Sequence, residues 1–239
     1  MDDEARRTFS RSRERRLKEM PDAALLFDLD GTLIDSDPLH ARVFRDLFAE
    51  RGREIDEDFY LAEVHGRHNT EIFGKHLPDE DPYMLHLAKE AAFRDVLEDF
   101  VEPTPGVVAL LDRARRNGWG LAVVTNAPRL NADAMLAAIG LSDRFDAVVI
   151  GEECQRGKPD PAPYLHALEI LGASAERAVA FEDSPSGIAS ATGAALFTVG
   201  LRSSLADAQL AAAGARLTIS DFTDPALGPV LDRLEGAMT

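Results

Sequence analysis

The stretch "LFDLDGTLID", Leu26 to Asp35, decides the fold, because it contains a strand, the end of that strand and the chemistry at that end. Asp28 and Asp30 stand one residue apart where the apolar run "AALLFDL" (23–29) stops, and Gly31-Thr32 follow at once. A short apolar run closed by Asp-Gly reads as a buried parallel strand. Two carboxylates so close together repel, so one stays protonated unless a cation compensates them.

Outward from this strand the pattern alternates. A helix is expected over about 38–51, with Leu39, Val43, Phe44, Leu47 and Phe48 on one face. Residues 55–100 show only helical periods, as in "TEIFGKHL" and "YMLHLAKEAAFRDVLEDF". From Pro105 helices and strands take turns. Strands are expected at "GLAVVT" (120–125), "DAVVI" (146–150), "RAVAFED" (177–183) and "ALFTVG" (195–200). Helices are expected near 106–117, 129–138, 161–171 and 185–192, and residues 203–239 suggest a further helix, a short "RLTIS" strand and a last helix. Strands spaced by helices of this length imply βαβ units and a doubly wound parallel sheet, an α/β Rossmann-like core. The helical block after the first strand is too long for a crossover and reads as an inserted α-helical cap. The expected division is a core of 23–35 and 104–239, a cap of 36–103, and an Arg-rich, flexible N-terminal extension of 1–22.

Composition narrows the function. The chain has 239 residues, 45% of them hydrophobic, as suits a globular protein with a substantial core. A net charge of −16 argues against a general nucleic-acid binder, whose affinity rests on Lys and Arg. Cys154 is the single cysteine, which excludes a disulfide framework and a cysteine zinc cluster. No apolar run approaches the roughly 20 residues of a membrane span, and no secretory pattern opens the chain. A cytoplasmic location is expected. No dimer helix stands out, so a monomer is expected too.

In an open parallel sheet, ligands bind beyond the carboxyl ends of the strands. Four such ends deliver polar groups: Asp28-Leu29-Asp30, Thr125-Asn126, "GEECQRGKPDP" leading to Lys158-Pro159, and Glu182-Asp183-Ser184. Any one alone would pass for a strand-end turn. Together they form a coherent site. The carboxylates of Asp28 and Asp183, with a backbone oxygen near Asp30, suit a hard oxygen-preferring ion such as Mg²⁺. Lys158 and the Thr125 hydroxyl supply donors for phosphate oxygens.

"DLDGT", the strand-end "TN", "GKP" and "EDSPSG" resemble, in this order and with these gaps, the four motifs of the haloacid dehalogenase-like hydrolases. The likeness covers roughly residues 23–200, and the cap between the first and second motifs resembles the helical-cap branch with phosphoglycolate phosphatase and β-phosphoglucomutase. The resemblance implies that Asp28 attacks phosphorus to form an aspartyl-phosphate. Asp30 would protonate the leaving oxygen and then activate water. Thr125, Asn126 and Lys158 would bind phosphate. Asp28, Asp30, Asp183 and Glu182 would form the Mg²⁺ site, Glu182 either through a water or by holding Lys158. Gly31 would permit the sharp turn between them.

The implied activity is Mg²⁺-dependent hydrolysis of a small phosphorylated metabolite, such as a sugar phosphate. The alternatives are a sugar-phosphate mutase on the same core and, from another class, a non-catalytic phospho-acceptor or interaction protein. Halide removal is disfavoured by Asp30, which dehalogenases of the family lack. Substrate contacts in the cap are sought among His40, His65, Arg67, His68, Asn69, Lys75 and Arg94, above all in the polar loop "HGRHN". Asn69 would otherwise cap a helix, Arg94 would lie on a solvated face and His40 would serve a hinge beside Ser36.

Overall fold

The computed structural model describes residues 21, 23–64, 67–97 and 101–236. The expected N-terminal extension, Pro21 apart, and His65 lie outside the described residues. The described chain contains six strands, β1 (Ala24–Phe27), β2 (Gly120–Thr125), β3 (Ala147–Ile150), β4 (Ala178–Glu182), β5 (Phe197–Leu201) and β6 (Leu217–Ile219). Its α-helices are α1 (Asp37–Ala49), α2 (Glu57–Phe59), α3 (Asn69–His76), α4 (Pro82–Val96), α5 (Val107–Arg116), α6 (Arg129–Ala138), α7 (Ala162–Leu171), α8 (Pro185–Gly193), α9 (Asp207–Ala213) and α10 (Gly228–Gly236). They fall into two compact units.

The first unit comprises Met1–Leu33, Thr104–Asn126 and Asp143–Thr239. All six strands lie in it as one parallel sheet, in the order β3-β2-β1-β4-β5-β6. This is the doubly wound sheet expected from the alternating pattern. β1, β2 and β4 are buried along their whole length, as parallel strands covered on both faces must be. The Phe27 and Phe181 rings stack at 4.9 Å between centroids, and Phe222 meets both edge-on. α5 buries Val107, Leu110, Leu111 and Ala114, the one-face spacing of an amphipathic helix. The order of the sheet reverses between β1 and β4. Phe27 pairs with Phe181, so Asp28 and Glu182 leave the sheet side by side, and the Asp28 amide donates to Phe181 O at 2.9 Å.

The second unit comprises Ile34–Pro103 and Ala127–Ser142. It is wholly helical among the described residues. Phe44, Leu47 and Phe48 from α1 pack with Tyr60, Val64, Ile72, Phe73 and Leu85 in one apolar cluster. Pro38 and Pro82 sit in first helical turns, where a missing N–H costs nothing. Asp81 caps α4 by accepting from the Tyr83 and Met84 amides. α2 runs directly into a π-helical turn, Tyr60–Val64.

This unit is larger than an insertion of 36–103, for it also takes in α6. Polar bonds tie this helix to α4. Asn131 on α6 accepts a hydrogen bond from Arg94 Nη1 at 2.6 Å and donates another to Glu90, both from α4.

Candidate active site

The reversal of strand order between β1 and β4 is the switch point at which an open α/β sheet forms a crevice for ligands. Four of the residues named from strand ends meet there. Lys158 Nζ lies 2.5 Å from Asp28 Oδ1 and 2.6 Å from Glu182 Oε1. Asp28, Glu182 and Asp183 each place a carboxylate oxygen within 4.8 Å of the others. Asp183 Oδ2 also accepts from Ser203 Oγ at 2.8 Å. Thr125 ends β2 and is buried.

The turn after β1 makes room for this cluster. Leu33 N and Thr32 N both donate to Leu29 O, and Gly31 has φ +72°. A Cβ at Gly31 would stand 2.0 Å from Asp183 Oδ2, so any other residue there would displace that carboxylate. Asp30 is half-buried on the same turn, and its carboxylate is not part of the three-residue cluster.

The electrostatics follow from burial. Asp28 is 7% exposed, Lys158 9% and Glu182 fully buried. Burial drives the Asp28 carboxyl well above the ordinary range; Lys158 opposes the shift, while Glu182 and Asp183 add to it. For Lys158 burial alone would lower the ammonium's pKa, but Asp28 and Glu182 outweigh it and hold the side chain charged. Two buried carboxylates thus share one ammonium, and a carboxylate oxygen of the half-buried Asp183 lies within 4.8 Å of theirs. An all-oxygen donor set of three carboxylates fits a hard divalent cation.

Tyr164 was not legible as a site residue. It is fully buried on α7, donates to Glu182 Oε1 at 2.6 Å and turns its ring toward Lys158 Nζ, 5.4 Å from the centroid. Burial, and then the charges of Glu182 and Asp28, raise its phenol well above the ordinary value. A buried tyrosine hydroxyl needs a partner, but nothing in the sequence says which.

Asn126, expected as a phosphate donor, also holds a partner in the β3–α7 connection. Its Nδ2 donates to Lys158 O at 3.0 Å, and its Oδ1 accepts from Lys158 N at 3.0 Å. The side-chain amide is engaged at both ends by one residue's backbone.

The other residues named from sequence lie in the second unit. Arg67 and His68 are exposed just before α3; Arg67 Nη2 donates to Ala62 O at 3.0 Å, and His68 makes no side-chain cap. Lys75 pairs with Glu63 at 2.5 Å. Asn69 donates to Glu90 Oε1 at 2.6 Å instead of capping α3. Arg94 is half-buried in its bond to Asn131 rather than on a solvated face. His40 stacks on Phe93 at 4.0 Å, with Nδ1 2.9 Å from Lys89 Nζ.

Lys89 and Glu90 are buried, and sequence reading missed them. The signal was present: Lys89 lies four residues from both Leu85 and Phe93, on the buried stripe of α4.

Comparison with known proteins agrees with this geometry. The family model for haloacid dehalogenase-like hydrolase matches residues 23–195. CbbY of Rhodobacter capsulatus is 35% identical over 189 residues, covering 74% of this chain and 83% of that protein. Fructose-1-phosphate phosphatase YqaB of Escherichia coli is 33% identical over 184 residues, covering 75% and 96%. A crystal structure of a CbbY variant from Rhodobacter sphaeroides in complex with xylulose-(1,5)bisphosphate is 30% identical, with a TM-score of 0.71 over 84% of this chain and 94% of that one. The chain belongs to the haloacid dehalogenase-like hydrolases, a hydrolase with phosphatases among its relatives.

Proposed function

We propose that this protein hydrolyses a small sugar phosphate, as a cytoplasmic monomer that uses Mg²⁺ and an aspartyl-phosphate on Asp28. The observation that carries the reading is the buried cluster at the strand-order reversal, where Asp28, Glu182 and Asp183 converge within 4.8 Å and Lys158 bridges two of them. The nature of the relatives supports a sugar phosphate, since one is a fructose-1-phosphate phosphatase and another binds a xylulose bisphosphate.

In this reading Asp28 and Asp183, with a backbone oxygen near Asp30, would hold the cation, and Glu182 would support the site. The cation, when bound, offsets the repulsion between the carboxylates and the phosphoryl oxygens. Asp28 Oδ attacks phosphorus, and the bond from phosphorus to the ester oxygen breaks. Asp30 gives its proton to that departing oxygen, then takes one from the water that cleaves the aspartyl-phosphate. Lys158 neutralises Asp28 and Glu182 and presents positive charge to the phosphoryl group. Thr125 offers a hydroxyl donor on the same rim. Positioning and electrostatics supply most of the rate, as is general for phosphoryl transfer. Arg67 and His68, exposed before α3, are the groups offered for the sugar.

The test is a hydrolysis screen over ketose and aldose phosphates, phosphoglycolate, glycerol phosphates and nucleotides, with Mg²⁺ or with a chelator. Metal-dependent release of phosphate, highest on a sugar phosphate, is expected. Turnover that persists without divalent cation, or release from none of these esters, would contradict the reading.

A further inference from the structure

We infer that Asn126 is a positioning residue, which fixes the backbone of Lys158 so that its ammonium reaches Asp28 and Glu182. The inference rests on the role given to Lys158 above.

Lys158 lies in the long connection between β3 and α7, while Asn126 directly follows β2. Loops gain precision only when something rigid holds them. Here the Asn126 amide grips both polar atoms of one residue, accepting from Lys158 N and donating to Lys158 O, each at 3.0 Å. The amide lies against two glycines of that connection. A Cβ at Gly151 would stand 2.1 Å from Asn126 Oδ1, and one at Gly157 would stand 2.8 Å from it. Both positions therefore have to lack a side chain for the grip to form. At the far end of the lysine, Nζ is held at 2.5 Å by Asp28 and at 2.6 Å by Glu182. The Lys158 side chain is fixed at both ends, and Asn126 supplies the backbone end. The engaged amide thus acts on the reaction through Lys158.

Two measurements test this. The first is a mutant cycle on a reactive aryl phosphate. Asn126→Ala should lower kcat on the order of 10²-fold, as misplacing a reacting group by about 1 Å does. In a Lys158→Ala background the same change should have almost no further effect. Gly157→Ala, whose Cβ would press on Asn126 Oδ1, should reproduce the loss in the parent and its absence in Lys158→Ala. Asn126→Asp, which keeps the acceptor for Lys158 N–H, should retain part of the rate and serves if the alanine variant does not fold. The second measurement is independent of turnover. Amidination of lysines by methyl acetimidate, mapped by mass spectrometry, should modify Lys158 at least about tenfold faster in Asn126→Ala and Gly157→Ala than in the parent, with Lys75 unchanged. Full multiplicative losses in the cycle, or an unchanged Lys158 labelling rate, would overturn the inference. If the parent hydrolyses no phosphate ester, the proposed function fails, and the labelling rates alone decide the role of Asn126.

Discussion

Lys158 Nζ and Asp28 Oδ1 lie 2.5 Å apart across 130 positions of chain, and the same ammonium reaches Glu182 Oε1 at 2.6 Å. One cation is therefore shared by carboxylates from β1 and β4, at the place where the order of the sheet reverses. Asp183 brings a third carboxylate oxygen within 4.8 Å of those of Asp28 and Glu182, and so gathers an all-oxygen donor set beside that ammonium. That donor set is the physical reason for expecting a divalent cation.

Mg²⁺ should therefore stabilise the folded protein. A ligand at 100 times its dissociation constant contributes about 2.7 kcal/mol. For a chain of this size that raises the melting temperature by roughly 5–10 °C. Thermal unfolding with excess Mg²⁺ and with chelator checks this. Asp183→Asn should lose most of the gain, and an equal gain in both proteins would place the cation elsewhere.

Asp30→Asn should cost about 10²–10⁴ in kcat, the usual worth of a positioned acid–base group. The loss should shrink as the leaving group improves, because a good leaving group needs little protonation. Rates across a series of aryl and alkyl phosphates measure this. A loss independent of leaving group would count against Asp30 as the acid.

Glu90 is the hub of the second unit's polar network, accepting from Asn69, Lys89 and Asn131. Glu90→Ala would leave the buried Lys89 without its carboxylate and the Asn131 amide nitrogen without its acceptor. Removing one partner of a buried charge pair costs about 3 kcal/mol or more. The melting temperature should fall by about 6–12 °C. A change of under about 2 °C would show that the network relaxes around the gap.

Much of the architecture was legible because it is written in local pattern. "AALLFDL" and "RAVAFED" became β1 and β4, since parallel strands covered on both faces need continuous apolar runs. The residues that meet at the strand-order reversal were legible for a topological reason: parallel strands deliver their C-terminal residues to one rim. What sequence reading missed depends on partners distant in the chain. The grip of Asn126 on Lys158 was hidden because only the fold brings Lys158's backbone to its amide. α6 looked like an ordinary crossover helix because Asn131 gives no sign that it meets Glu90, 41 residues earlier. The Arg94 side chain was misread for the same reason.

Replacing Arg67 and His68 together with Ala should lower kcat/KM on the best sugar phosphate about tenfold or more, and on a small aryl phosphate far less. The two side chains are exposed and carry no buried network, so stability should hardly change. Steady-state kinetics on both substrates give the ratio. Equal losses on the two would remove these residues from substrate recognition.

The central claim is that the Asp28 carboxylate attacks phosphorus. It is tested most directly by acid-quenching a single turnover with ³²P-labelled sugar phosphate and mapping the label by peptide mass spectrometry. The parent should carry a transient, hydroxylamine-labile phosphoryl group on Asp28 that appears and decays within one turnover. Asp28→Asn should fold, carry no label and lose on the order of 10⁴-fold or more in rate, as loss of a nucleophile does. Label on another residue, or turnover by Asp28→Asn within tenfold of the parent, would contradict the account.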